Sequence, residues 1–248
     1  MSFLLSECPI CSGNDLREIY DTRDRHYGIP GIYRIVKCSS CSLVFLNPMS
    51  SDAELASLYP KDYYAYQNNF KQRRWKQLIQ KLVLYRLGTR DPQFSAPGRM
   101  LDLGCGSGWY LSTMRDKGWE TFGVEINHAA ASVGREQAGL NIFSGTIEKA
   151  QFPSQYFDYV RSNHSFEHIS RPRETLYEIH RVLRTTGKLL IGVPNVDGLN
   201  AKIFGKFWWY LGAPVHPFNY SFCISYYYLV RRFVNNKRQV ANTLLLLL

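Results

Sequence analysis

The stretch LDLGCGSGW, Leu101–Trp109, decides the fold class of this chain. Its apolar, acidic, apolar start is typical of a buried strand, and Gly104, Gly106 and Gly108 then alternate with other residues. The residues that follow have helical periodicity, so the glycines form a tight turn between a strand and a helix. Open α/β sheets bind their ligands at such turns, at the carboxyl ends of the strands.

The spacing of the glycines argues against a phosphate ligand. It matches neither the dinucleotide fingerprint G-x-G-x-x-G nor a P-loop, which continues with Gly-Lys-Ser/Thr. Asp102 stands shortly before Gly104, where a phosphate would meet repulsion. Glu125, at the end of the next expected strand, can accept both hydroxyls of a ribose. An acidic rim suits a cationic nucleoside without phosphate, and S-adenosylmethionine has these features.

The segments after the glycine turn predict alternating strands and helices. We expect further strands at residues 119–127, 157–162 and 188–193, with another strand end at residues 145–148. An amphipathic helix is expected between the last two strands. This order predicts an α/β domain with a mostly parallel sheet.

Two motifs together carry a family resemblance. LDLGCGSG and the later pattern FEH…P…L.EI.RVLR..G.LLI.VPN, within residues 166–195, are similar to class I S-adenosylmethionine-dependent methyltransferases. The chain more narrowly resembles the bacterial subgroup with an N-terminal zinc-binding C-x2-C…C-x2-C module, over roughly residues 8–235. The resemblance implies a Rossmann-like sheet with flanking helices and bound S-adenosylmethionine. The residues at the family's cofactor positions are Asp102, Gly104, Gly106, Gly108, Glu125, Ile126, Thr146, Ile147, Glu148 and Asn163. Many relatives have Asp where Thr146 stands.

Three histidines are candidate general bases for an acceptor hydroxyl, because a neutral imidazole titrates in the useful range. They are His164, His168 and His216. His168 has an equally good structural role in packing behind the strand. Glu167 could orient His168 or join it in a metal site, although one Glu-His pair is not a complete coordination shell.

Residues 194–225 are unusually rich in aromatic side chains. Relatives carry a similar segment that folds over the acceptor, so we expect a lid here. Packing against the N-terminal module is the alternative. Val215 stands where relatives have a basic residue, so an anion contact is missing there.

Two C-x-x-C pairs open the chain. Cys8 and Cys11 form the first pair, Cys38 and Cys41 form the second, and two such turns can complete a closed tetrahedral zinc site. A disulfide framework fits poorly with a chain that shows no secretion signal. We expect structural zinc in a ribbon-like module over residues 1–48. Cys105 and Cys223 lie outside this set.

Residues 49–97 are expected to form a helical linker. Ser51 and Glu54 have the pattern of a capping box at a helix start. FKQRRWKQLIQKLVLYR, residues 70–86, predicts a basic amphipathic helix with six cations and no acid. It is expected to pack on the main domain, residues 98–248. The alternatives are contact with an anionic membrane surface or with a nucleotide-linked substrate.

Composition and termini set further expectations. The chain has 248 residues and a formal charge of +10. The N-terminus lacks a signal-peptide pattern, and Leu244–Leu248 is far shorter than the roughly 20 apolar residues that span a bilayer. We expect a cytoplasmic protein, with peripheral membrane contact left open.

The C-terminus is short for the family that the chain resembles. That fold closes with a helix and an antiparallel strand pair, and here only residues 237–248 follow the expected helix. We therefore expect incomplete closing strands, and an open sheet edge that favours association into oligomers.

These observations favour an enzyme that methylates a small molecule or a carbohydrate, such as a sugar nucleotide or polysaccharide. An RNA or other nucleic-acid methyltransferase is the alternative, with the basic helix on phosphate. A second alternative is a degenerate, non-catalytic binding protein, suggested by the short C-terminus.

Overall fold

A computed structural model describes residues 2–58, 92–221 and 243–247. The expected basic helix at residues 70–86 and the expected C-terminal helix both lie outside these residues. Within the described ranges the chain forms two sheets, one mainly from the N-terminal segment and one from the central segment. No helix in these ranges is long and apolar enough to cross a membrane.

The first sheet has four antiparallel strands in the order β1-β2-β3-β9. Its strands are β1 Leu16–Thr22, β2 Tyr33–Cys38, β3 Val44–Leu46 and β9 Phe218–Asn219. The fourth strand therefore comes from the end of the aromatic segment and pairs with β3, which lies far earlier in the sequence, with Phe45 opposite Phe218. The aromatic segment is tied to the N-terminal module by this pairing.

The second sheet is parallel at every junction and has the order β10-β8-β7-β4-β5-β6. Its strands are β4 Arg99–Leu103, β5 Glu120–Glu125, β6 Asn141–Ser144, β7 Phe157–Asn163, β8 Leu183–Val193 and β10 Thr243–Leu247. The helices are α1 Asp52–Ser57 in the linker, then α2 Trp109–Arg115, α3 His128–Ala138, α4 Ile147–Ala150, α5 Pro172–Val182 and α6 Leu199–Phe204. The expected Rossmann-like α/β fold is confirmed.

The strand order places a ligand crevice at the end of β4. The chain runs outward from β4 through β5 to β6, and then returns to β7 on the other side of β4. The helices that follow β4 and β7 leave the sheet in opposite directions, so a crevice opens where the order reverses. The glycine turn directly follows β4 and lies at this point.

Local sequence explains the main elements. Strand β4 is buried on both faces, as a central parallel strand requires, with Met100 and Leu101 fully buried. Helix α5 buries Leu176, Ile179 and Val182 on one side, at helical spacing. The predicted capping box at α1 is confirmed, because Ser51 accepts from the Glu54 amide and Glu54 accepts from the Ser51 amide.

The C-terminal strand has an unexpected direction. Residues 243–247 pair with 189–193 of β8 in parallel, whereas the family pattern predicts antiparallel closing strands. Strand β10 therefore covers the edge of β8 and becomes the edge of the sheet itself. Oligomerisation through an open edge stays a prediction.

Candidate functional site

The glycine turn has a backbone shape that requires glycine at two positions. Gly104 has a φ of +68°, and a Cβ there would overlap the Cβ of Ser165. Gly108 has a φ of +84° at the start of α2, and a Cβ there would overlap Leu140. At both positions the backbone lies so close to its neighbours that a side chain has no space.

Ser165 packs against Gly104 and is hydrogen-bonded to the strand that precedes the turn. Its hydroxyl donates to the carbonyl of Leu103 at 2.6 Å and accepts from Ser162 at 2.7 Å, so the loop after β7 is bonded to the end of β4. Sequence analysis did not single out Ser165. Ser165 lies between the expected strand at residues 157–162 and the FEH motif that begins at residue 166, and this position is the signal that could have identified it.

Glu125 links the end of β5 to the glycine turn. Its Oε2 accepts from the Gly106 amide and its Oε1 from the Asn127 amide, each at 2.8 Å. The carboxyl is buried, and burial raises its pKa although the two amides oppose the shift. Each carboxylate oxygen can accept a further hydrogen bond, so Glu125 retains capacity for ribose hydroxyls.

Asp102 is neutralised by an arginine that the sequence analysis missed. Its carboxylate pairs with Arg161 at 2.9 Å, and the two residues are register neighbours on β4 and β7. Arg161 also lies over the ring of Tyr110, 3.9 Å from its centroid. The charge on which the sequence argument against phosphate rested is therefore balanced within the sheet. Glu125 is the acid that touches the turn.

The expected adenine-side residues have different surroundings. Ile126 follows Glu125 and leaves 54% of its surface exposed, which provides an apolar face beside the turn. Ile147 is buried, and Glu148 accepts from Thr175 at 2.7 Å. Thr146 begins α4 without a side-chain cap bond. Asn163 ends β7, where its side chain lies against Gly192.

The three candidate histidines meet around one buried glutamate. His164 has a φ of +52° and places Nδ1 3.6 Å from Oε1 of Glu167. The rings of His168 and His216 lie edge to face, 4.6 Å apart. Burial raises the pKa of Glu167, but the contact with His164, followed by the neighbouring His168, outweighs it and holds the pKa below its ordinary value. The group is therefore an ionised carboxylate among imidazoles.

His216 is the most enclosed of the three. Burial, and then the neighbouring His168, lower its pKa to about 3, so its ring is neutral near pH 7. It lies just before β9 and reaches the cluster from the aromatic segment. Val215 contributes its carbonyl, which contacts His168 Nδ1 at 2.7 Å.

The aromatic segment packs largely against the N-terminal sheet. Trp208, Leu211 and Ala213 share a core cluster with side chains of β2 and β3. His26, another residue that sequence analysis missed, stacks on Trp209 at 4.2 Å. Packing against the module is thus observed, and His216 brings the same segment to the cluster around Glu167. A lid over an acceptor stays a prediction. Within residues 194–221, the part of the segment that the structure describes, the exposed aromatic side chains are Phe204, Phe207, Trp209 and Tyr210.

The four N-terminal cysteines converge. One sulfur pair, Cys8 and Cys41, is 3.5 Å apart, and the other, Cys11 and Cys38, is 3.6 Å apart. Sulfurs on a tetrahedral zinc ion with bonds of about 2.3 Å lie roughly 3.8 Å apart, so the spacing fits this ion. All four cysteines are free thiols, and the distances exclude disulfide bonds.

The two cysteine turns are built alike. The amide of Cys8 donates to the Gly13 carbonyl and that of Cys38 to the Leu43 carbonyl, and Ser12 and Ser42 have positive φ angles. The Cys41 thiol hydrogen bond, opposed by burial, lowers the pKa of Cys8 to about 5. The same contact raises the pKa of Cys41, so the two thiols share one proton and only one of them ionises readily. The paired turns have the form of a metal knuckle.

Taken together, a glycine turn at the switch point of a parallel sheet and a carboxylate at the next strand end define a Rossmann-like nucleoside-binding domain. The family profile described as "Methyltransferase domain" matches residues 66–227. The chain therefore belongs to this family of enzymes, and the methyltransferase class predicted from sequence is confirmed at that level.

Individual relatives are distant. A solved S-adenosylmethionine-dependent methyltransferase from Archaeoglobus fulgidus is 25% identical, with a TM-score of 0.50, over 64% of this chain and 74% of the other. The malonyl-[acyl-carrier protein] O-methyltransferase of Enterobacter lignolyticus is 30% identical over 41% of each chain. The demethylmenaquinone methyltransferase of Listeria welshimeri is 26% identical over 54% of this chain and 62% of its own. The chain spans about half the length of such curated relatives.

Proposed function

We propose that this chain binds S-adenosylmethionine at the glycine turn and transfers its methyl group to a small-molecule or carbohydrate acceptor. The observation that carries the proposal is the hydrogen bond from the Gly106 amide to Glu125. It places the carboxylate expected to bind the ribose directly beside the glycine turn. The Archaeoglobus fulgidus structure, described as that of an S-adenosylmethionine-dependent methyltransferase, supports the same cofactor.

The residues of the crevice fit this cofactor. Gly104 and Gly106 keep the backbone of the turn bare beside the methionine part, and at Gly104 a Cβ would in addition overlap Ser165. Glu125 is placed to accept the ribose hydroxyls, and Ile126 offers an exposed apolar face for adenine. Asp102 acts through the sheet, where it orients Arg161 and the Tyr110 ring beneath the turn.

When bound, S-adenosylmethionine supplies an activated methyl group on a sulfonium sulfur. The chain then has to hold the acceptor atom in line with the methyl carbon and the sulfur, with the reacting atoms about 3 to 3.5 Å apart. Asn163 ends β7 next to the crevice and His164 follows it, with 38% of its side chain exposed. We assign these two side chains to acceptor positioning.

The acceptor class is a small molecule rather than a polynucleotide. The names of two relatives specify a carrier-bound malonyl group and demethylmenaquinone as acceptors. The acceptor side here is a compact polar cluster closed by Val215 and His216, with Glu167 fully enclosed. Such a site suits one hydroxyl or carboxyl group, and a sugar nucleotide or polysaccharide end remains our preferred acceptor.

We further propose that Cys8, Cys11, Cys38 and Cys41 hold one structural zinc ion. The support is the convergence of their sulfurs and the similarity of the two turns. Four thiolates close the coordination shell, so the ion would stabilise the N-terminal sheet without a part in the chemistry.

The test is a calorimetric titration with S-adenosylmethionine, followed by mass spectrometry of methylated products from a panel of sugar nucleotides. We expect saturable binding, with affinity reduced at least about tenfold in Glu125→Ala, because charged hydrogen bonds contribute about 1.5–3 kcal/mol. Glu120→Ala is the matched control, since Glu120 is an exposed carboxylate at the other end of the same strand. Methylation of RNA and not of the panel would overturn the acceptor class.

A further inference from the structure

The cluster around Glu167 has the make-up of a metal site. Glu167 and His168 belong to the short turn Phe166–His168 after β7, and His216 comes from the segment before β9. One ligand atom from each residue lies within 4.8 Å of the other two. The third ligand therefore comes from a part of the chain that is distant in sequence, which no local motif would reveal.

Both histidines have their ring orientation set by a backbone carbonyl. Nδ1 of His168 is 2.7 Å from the Val215 carbonyl, and Nδ1 of His216 is 2.9 Å from the Tyr210 carbonyl. A carbonyl only accepts, so in the neutral ring Nδ1 carries the proton and Nε2 carries the lone pair. Metal-bound histidines are held in the same way, with the other ring nitrogen donating to a fixed acceptor.

Glu167 contributes a buried oxygen that lacks a protein partner. The residue is 1% exposed, and among the described residues Oε2 accepts no hydrogen bond. Burying a carboxylate is unfavourable unless its charge is compensated. A cation between Glu167 and the two imidazoles would provide that compensation.

The turn at Gly212 sets the position of the His216 ring. Gly212 has a φ of +59°, and a Cβ at this position would overlap the His216 ring. The Gly212 carbonyl accepts from the His216 amide at 2.9 Å. The turn thus folds the ring back toward His168 and needs glycine to do so.

We propose that Glu167, His168 and His216 form a binding site for a divalent cation of the zinc class, separate from the four-cysteine site. Two imidazoles and one carboxylate are the protein ligands of one class of catalytic zinc site, which keeps a further position open for water or substrate. On such an ion, with bonds of about 2.1 Å, the ligand atoms lie roughly 3.4 Å apart, so binding draws the three groups slightly together. The open position would accept an oxygen of the acceptor.

The experiment measures zinc on the full chain without S-adenosylmethionine, so that its result is independent of the proposed methyl transfer. After dialysis against zinc and then against metal-free buffer, we expect about two zinc ions per chain in the wild type. Glu167→Gln and His216→Ala are each expected to retain about one. His180→Ala, which removes a histidine from the far end of α5, is the control and is expected to retain both.

A thermal-shift measurement separates a metal site from a purely structural cluster. Added zinc is expected to raise the melting temperature of the wild type by more than that of Glu167→Gln, which keeps only the four-cysteine site. Without zinc, Glu167→Gln should melt at least as high as the wild type. Equal zinc content in wild type and Glu167→Gln, or the same zinc-dependent shift in both, would overturn the proposal. A wild type holding about one zinc, lost with the cysteines, would do so as well.

Discussion

Gly106 donates its backbone N–H to Oε2 of Glu125 at 2.8 Å. The contact joins the middle of the glycine turn to the end of the neighbouring strand, so the two parts of the nucleoside site are positioned by one hydrogen bond. Because Glu125 is buried, its charge affects both the shape of the turn and its affinity for a ligand.

Binding of S-adenosylhomocysteine should weaken in mild acid. Burial raises the pKa of Glu125 above its ordinary value of 4.5, and only the carboxylate can accept hydrogen bonds from both ribose hydroxyls. Affinity is therefore full above the raised pKa and is lost as the pH falls through it. Calorimetry across this range should show the loss at a higher pH than an ordinary glutamate would give. Glu125→Gln should bind weakly with little pH dependence; an unchanged pH profile would exclude Glu125 from the site.

Replacing Gly104 should damage the turn through a steric clash. Gly104→Ala combines left-handed strain with overlap on Ser165, and we expect a loss of about 3 kcal/mol in the free energy of unfolding together with weaker cofactor binding. Gly139→Ala is the control, because Gly139 has a similar φ of +61° with open space around it. Its cost should be about 1 kcal/mol. Equal losses in urea unfolding would show that the contact with Ser165 is unimportant.

Substitutions of Asp102 and Arg161 should have coupled effects on the free energy of unfolding. Arg161→Met leaves Asp102 buried and unbalanced, so we expect a loss of about 3 kcal/mol in stability. Adding Asp102→Asn should recover most of that loss, because the uncompensated charge is then removed. A double-mutant cycle by denaturant unfolding measures the coupling. Additive effects of the two substitutions would contradict the pairing.

The cysteine cluster should bind zinc with a defined set of thiols. Cys38→Ser is expected to lower zinc content by about one ion per chain and to destabilise the N-terminal sheet, since Cys38 ends β2. Cys105→Ser should leave zinc content unchanged, because Cys105 lies in the glycine turn. Elemental analysis and thermal unfolding provide the two readouts. Zinc retained in Cys38→Ser would refute the assignment.

Much of the fold was predictable because its signals are local. The alternation of buried strands with amphipathic helices, and the spacing of Gly104, Gly106 and Gly108, depend on residues close together in the chain. The cysteine pairs are equally local, since two turns of the same pattern suffice. Glu125 was identified because it ends the next strand in order.

The remaining features depend on contacts between distant segments. Arg161 meets Asp102 only because β7 lies beside β4, and His216 meets Glu167 only because the aromatic segment returns to the N-terminal sheet. The spacing of these residues in the sequence does not indicate that either pair is in contact. The parallel direction of β10 is similar, because a run of leucines has strand character without a preferred direction.

The most direct test of the account is a titration of the wild-type chain with S-adenosylhomocysteine, ATP and NADH under the same conditions. The account predicts saturable heat with S-adenosylhomocysteine, about one molecule per chain, and little with the two phosphate-bearing ligands. Binding of ATP or NADH at the glycine turn, without binding of S-adenosylhomocysteine, would contradict the proposed nucleoside site and the methyl transfer that depends on it.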